Sequence, residues 1–359
     1  MKEDHPDHRP VLSRRDFLKL AGTATIGAAL AGCRSASPVP TPAAVATGTV
    51  ATAVAAMYRP EILRFYPDAP ESKVVRIHHA GAWDGSELVS PVLSQMLDAS
   101  ITELTGLGDA LEAWKALFRP QDRIAIKVST IATSDFFTHV PLVMAVAERL
   151  QAAGVPVEQI TIYDRSADEL KRAGFEINSA GPGVRCEATD GRYTQGFKVM
   201  DTSVGLSDIL LNSDALINIP LLKHHNHSGV TFALKNHFGS FDSPSSFHRP
   251  KTGDALLDLN ALPAIRDRTR LVIGDLLQVC PIDQHGWFLT KKGDSVLMSF
   301  DPIAHDAVGL EILRQMIVAK GYDMETTQRL ADTWLPQGEA RGLGTSDPVY
   351  IKTIEKNLV

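Results

Sequence analysis

The chain of 359 residues is 44% hydrophobic and 22% charged, the balance of a globular protein long enough to build a large core. A formal net charge of −6 argues against nonspecific nucleic-acid binding, which needs Lys and Arg in excess to neutralise phosphates. Three cysteines with no Cys-x-x-Cys pair argue against an iron–sulfur cluster or a structural zinc–thiolate site.

Ser13-Arg-Arg-Asp-Phe-Leu-Lys19 has the form of a twin-arginine export signal, with Arg14 and Arg15 as its pair. A short stretch rich in Gly, Ala and Thr follows, ending in Leu30-Ala-Gly-Cys33, which resembles a bacterial lipobox. That stretch is shorter than the roughly 20 apolar residues a membrane-spanning helix requires. The expectation is a signal peptide over 1–32, lipid on Cys33, and a protein anchored to a membrane outside the cytoplasm, in the periplasm or at the cell surface. Its partners would be the twin-arginine translocation machinery and that membrane. The route carries folded proteins, often with a cofactor in place, which favours a bound metal or cofactor without identifying it. Residues 33–56 are rich in Ala, Thr, Pro and Val and read as a tether, leaving 57–359 as a single folded domain.

The folded part opens with an alternating strand at Val74–His79, followed by helices over Leu88–Leu104 and Asp109–Phe118. Arg123–Val128 reads as a strand, Pro141–Ala153 as a helix opened by proline and stopped by Gly154, and Gln159–Tyr163 as a further strand. This progression predicts an α/β fold, a mixed and mostly parallel sheet flanked by helices, with Asp164 at the same strand edge as Lys127. Loops and short strands are expected over Gly174–Asp201, and Cys186 and Cys280 read as buried small hydrophobes or one disulfide. Ser240–Gly253 reads as a long mobile loop, Ala255–Arg266 as helix, and Arg270–Gly274 as a strand ending at Asp275. A hairpin turning at Lys291–Asp294 is expected next. Asp301 would then cap a helix that starts at Pro302 and runs to about Lys320. A helix over Glu325–Trp334 and an edge strand near Val349–Ile351 complete the chain.

The central stretch is Asp214-Ala-Leu-Ile-Asn-Ile-Pro220, a short apolar run stopped by proline, as a buried strand would be. If the chain stays extended, Lys223, His225 and His227 share one face and His224 takes the other. Thr231–Phe238 then reads as about two helical turns terminated by Gly239. This region resembles the family called domain of unknown function 362, through Pro220, Lys223 and His225 and then Thr231, Ala233, Lys235, Asn236 and Gly239. A weaker likeness runs from about Lys73 to Arg314 and takes in Lys127, Asp275, Asp301 and Asp306. The chain departs from the pattern at Leu221, at Val128-Ser129 and in the segment after Asp275. The family brings no established reaction, so the resemblance groups polar residues without naming their work.

Those residues form the candidate site. Lys127, Lys223, Lys235 and Asn236 would bind a small anionic ligand, His225 or Asp275 would move a proton, and His225, Asp275, Asp301 and Asp306 would hold a divalent metal. Three lysines at element ends call for an anion or for carboxylates, with Asp275 or Asp301 the expected pairs. Asp301 as a helix cap, Asp306 as a dipole partner, and His78, His139 and His285 as structural or exposed residues are the simpler alternatives. No GxSxG, HExxH, P-loop or GxGxxG motif is present. Three functions remain open: an enzyme acting on an anion, a tethered protein that only captures a metal or anion, and an accessory to an extracytoplasmic redox complex.

Overall fold

The computed structural model describes residues 58–131, 136–248, 251–284, 287–321 and 323–359; the export signal, lipobox and tether lie outside them. In chain order come β1 (Ser72–His79), a small hairpin of β2 (Trp83–Asp84) and β3 (Glu87–Leu88), α1 (Ser90–Thr105), α2 (Ala110–Leu117), β4 (Ile124–Val128) and α3 (Val140–Ala152). They are followed by β5 (Ile160–Asp164), α4 (Ala167–Arg172), β6 (Arg185–Ala188), β7 (Tyr193–Val199), β8 (Thr202–Ser207) and α5 (Asp208–Leu211). The central stretch forms β9 (Ala215–Ile219), β10 (Leu221–His225), β11 (Gly229–Thr231) and the single turn α6 (Ala233–Asn236). Last are α7 (Thr252–Ala261), α8 (Pro263–Arg266), β12 (Thr269–Gln284), β13 (Trp287–Ser299), α9 (Pro302–Val318), α10 (Glu325–Asp332) and β14 (Ile351–Leu358).

The main sheet has ten strands, eight of them in the order β14-β1-β13-β12-β9-β4-β5-β6. β12, β9, β4, β5 and β6 run parallel, whereas β13 lies antiparallel between β12 and β1. β10 continues beyond Pro220 alongside β12 and doubles back as β11. The protein is thus of the mixed, mostly parallel α/β class. β4 and β9 are buried at every position, because helices cover both faces of the sheet.

Alternation along the strands divides the core into two layers. Ile124, Ile126, Ile217, Ile219, Leu271 and Ile273 pack on the side of α1, α2 and α3. Ala125, Leu216, Val272 and Leu276 pack on the other side with α7 and α9. Residues in phase with the second set, Lys127 and Asn218 among them, therefore face α6 and α7.

Three expectations need correction. Thr231 belongs to β11, and the helix begins only at Ala233, where the Asp306 carboxylate accepts the Ala233 and Leu234 N–H groups at 2.6 and 3.0 Å. The hairpin does not turn at Lys291–Asp294, which lies inside β13 and pairs with β12; the ladder of β12 and β13 continues out to Gln284 opposite Trp287. The described part of the segment after Ser240 is packed down: Phe241 and Phe247 are buried, and Pro244–Phe247 forms a 3-10 turn. Asp301 and Pro302 open α9 as expected, and β14 does form the sheet edge beyond β1. Both Cys186 and Cys280 are buried.

Candidate functional site

The predicted residues separate into three settings, the first of which is closed. Lys127 is 1% exposed and its ammonium donates to Asp164 Oδ1 at 2.7 Å, the Val128 carbonyl at 2.6 Å and Asn236 Oδ1 at 3.3 Å. Those bonds use all three of its hydrogens. Burial pulls the Lys127 pKa down from its ordinary value, and the Asp164 carboxylate opposes that shift. Asp164 also accepts from the N–H and hydroxyl of Thr130 and from the Arg165 N–H. Asn236 spends its amide hydrogens on Asn218 Oδ1 at 2.7 Å and the Lys127 carbonyl at 3.3 Å. Neither Lys127 nor Asn236 has a donor left for an anion. The lysine's partner is Asp164 rather than Asp275 or Asp301, because β5 is the neighbour of β4 in the sheet.

Gly239 explains how α6 reaches this pair. A Cβ there would stand 2.4 Å from Asp164 Oδ1 and 2.7 Å from Lys127 Nζ, so only a glycine lets the backbone cross the ion pair.

The three aspartates occupy a second kind of setting, each bonded to backbone. Asp275 is fully buried on the α3 side of the sheet, where it accepts the backbone N–H and ring Nδ1–H of His139, both at 2.8 Å, and the Leu277 N–H at 3.1 Å. Burial works against charge on His139, but the Asp275 carboxylate prevails and holds its pKa above the ordinary imidazole value. Asp301 accepts from the N–H groups of Ile303, Ala304 and Thr345 and from the Ser72 hydroxyl. Burial nevertheless pushes its pKa up to about 7. Asp306 caps α6 as described. Among the described residues no three His, Cys, Asp or Glu side chains stand where they could hold a metal ion. The set His225, Asp275, Asp301 and Asp306 does not fit one, since its carboxylates are spent on separate backbone segments.

The third setting is open and cationic. In β10, His224 turns to Thr327 of α10, with Nε2 3.0 Å from its hydroxyl, while His225 joins His227 and His248. The three imidazole rings form a triangle with centroids 5.4, 5.9 and 5.2 Å apart. Lys235 of α6 is 9% exposed, its Nζ 3.5 Å from His248 Nε2 and 3.5 Å above the centre of the Phe238 ring. Among the described residues no carboxylate pairs with it. Burial, with Lys223 adding repulsion, pushes the Lys235 pKa down to about 7. His225 is held well below its ordinary value by burial and by the charges of Lys235, His227, Lys223 and His248. Its Nδ1 accepts the N–H groups of His227 and Ser228 at 3.1 and 3.3 Å, which places the ring hydrogen on Nε2. That nitrogen is a donor suited to an anion, not a lone pair for a cation. Lys223 donates to the Ile131 carbonyl at 3.1 Å.

The structure therefore keeps His225, Lys223 and Lys235 together, as the sequence predicts, and places Lys127 and Asn236, expected in the same anion site, in a closed structural network instead. Sequence reasoning did not count His248 among the site residues, because that histidine lies within the expected loop Ser240–Gly253, 23 residues beyond His225. It also missed the partnership of His139 with Asp275. No hydrogen bond or ion pair among the described residues joins Asp275 to His225, the two residues considered for proton transfer.

No functionally curated protein matches the chain. Among solved structures it is similar to a Thermotoga maritima protein from the Northeast Structural Genomics Consortium, with 11% identity and a TM-score of 0.34 over 70% of this chain and 61% of that one. Residues 124–311, from the start of β4 into α9 and more than half of the sequence, match the family described as domain of unknown function (DUF362), and the chain belongs to that family.

Proposed function

We propose that this protein is an exported, lipid-anchored member of its family that binds a small anionic ligand between β10, α6 and the segment carrying His248. One observation carries the reading: Lys235 is buried among His225, His227, His248 and Lys223 with no carboxylate beside it among the described residues. A buried ammonium without a counter-ion is costly, and a site that gathers donors and cations in this way is stabilised by an anion. His225 supplies a neutral N–H donor, and Lys235, with its pKa near 7, takes up a proton as the anion enters. The export and lipid anchor rest on Arg14, Arg15 and Cys33 in the sequence.

Calorimetric titration of the exported protein with sulfate, which stays a dianion across the accessible pH range, tests the site. Binding that disappears in Lys235→Met while folding persists supports the proposal; equal binding by that variant would overturn it. Metabolic labelling with a fatty acid tests the anchor, through a label that Cys33→Ser removes.

A further inference from the structure

We infer that the ligand is a tetrahedral dianion, a phosphate- or sulfate-type group, and that the Thr231 hydroxyl is one of its donors. This rests on the anion-binding reading above. Thr231 is 7% exposed, and its Oγ1 is buried with no hydrogen-bond partner. Buried hydroxyls nearly always have a partner, because one left without it forfeits its hydration for nothing in return. A hydroxyl so placed points to a ligand group that it serves.

Register shows where that hydroxyl belongs. Thr231 stands directly opposite Lys223 in the β10–β11 ladder, so the two side chains project to the same side, and period two puts His225 on that side as well. Val230, one residue back, goes to the opposite side and into the core. Donors thus come from β11 through Thr231, from β10 through Lys223 and His225, and from α6 through Lys235.

The chemistry of this set selects the shape of the anion. A planar carboxylate offers two oxygens in a single plane, which four donors arriving from three elements do not share. Two ammonium groups, a hydroxyl and an imidazole N–H carried by three elements are donors distributed in space, as the oxygens of a tetrahedral group are.

The test compares sulfate, inorganic phosphate, acetate and nitrate on the exported protein at fixed ionic strength, beside Thr231→Val and Thr231→Ser. The expected result is that sulfate or phosphate binds at least about tenfold tighter than acetate and nitrate. Thr231→Val should weaken the tetrahedral anion about fivefold or more, while Thr231→Ser preserves it and the ligand-free melting temperature of the valine variant does not fall. The ratio of phosphate to sulfate identifies which source of the dianion the site prefers. Acetate binding as tightly as sulfate, or a valine variant that binds like the parent, would overturn this inference and leave the anion site standing. Absence of binding by all four anions would remove the anion site itself, and this inference with it.

Discussion

Lys127 of β4 and Lys235 of α6 are both buried lysines, and they are built in opposite ways. Lys127 has a carboxylate, a carbonyl and an amide oxygen on its three hydrogens, and the carboxylate it meets is itself filled by Thr130 and Arg165. Lys235 has an imidazole nitrogen at 3.5 Å and an aromatic face, with further cationic or neutral donors around it. Burial lowers the pKa of both, but only one is compensated by a counter-charge. A buried charge with every bond made holds a structure in register, whereas one left incomplete marks where something else binds.

Removing the counter-charge from the closed site should produce the largest effect. Asp164→Ala leaves Lys127 buried without its carboxylate and strands the Thr130 donors, so a loss of about 3–5 kcal/mol is expected in urea unfolding. A loss below about 1 kcal/mol, the range of exposed ion pairs, would show that the network is not the structural clamp described here.

Gly239→Ala attacks the same clamp from the backbone. The added methyl would meet Asp164 and Lys127 at 2.4 and 2.7 Å, and both are fixed by their bonds, so a cost near the top of the usual range for overpacking, about 3 kcal/mol, is expected. The variant should melt correspondingly lower. A neutral result would mean that α6 can lift away from β4 without penalty.

How much of this could be read in advance depended on whether the signal was local. The buried run Ala215–Ile219 stopped by Pro220, and Asp301-Pro302 at the start of α9, depend on neighbouring residues and were legible. So was the shared face of Lys223 and His225, which needs only period two. The partner of Lys127 was not, because it is set by the order of β9, β4 and β5 in the sheet, a long-range fact. Gly239 looked like a helix terminator and is instead a point of close approach, a distinction that requires knowing what passes beneath it. Asp306, expected as a metal ligand or more simply as a partner for its own helix dipole, caps α6 instead, across 73 residues of chain. Thr231 looked helical because the first hydrogen bonds of α6 come from Asp306 and not from the chain just before it.

Lys235→Met sharpens the contrast by moving stability in the other direction. In the folded protein the group titrates near 7, below its ordinary value of 10.5 when unfolded. Above pH 10.5 both states hold it neutral and its burial costs no charge. As the pH falls from 10.5 towards 7 the unfolded chain takes the proton first, so the penalty grows, and below 7 it is constant. The methionine variant should therefore be more stable than the parent by about 2 kcal/mol at pH 7 in the absence of anions, an advantage that shrinks towards zero as pH rises to 10.5. The same variant loses sulfate binding. A variant less stable than the parent at pH 7 would place Lys235 with Lys127, as a structural residue.

The smallest effect concerns the pair on the opposite face of the sheet. His139 is kept above the ordinary imidazole pKa because its Nδ1–H meets the buried Asp275 carboxylate at 2.8 Å, which outweighs the burial that would otherwise lower it. A group raised on folding contributes stability that is complete below its unfolded pKa of about 6.5 and is lost as pH rises through the folded value. Asp275→Asn keeps an oxygen for the His139 backbone N–H but removes the charge, leaving burial as the dominant influence. The His139 proton should then titrate below the ordinary value in a histidine NMR titration, and the variant should lose about 1 kcal/mol near pH 6 and less near pH 8. Sulfate affinity should not change, because no hydrogen bond or ion pair among the described residues links Asp275 to His225 or Lys235. A change in sulfate binding would instead join the two faces of the sheet into one site, with His139 as its proton carrier.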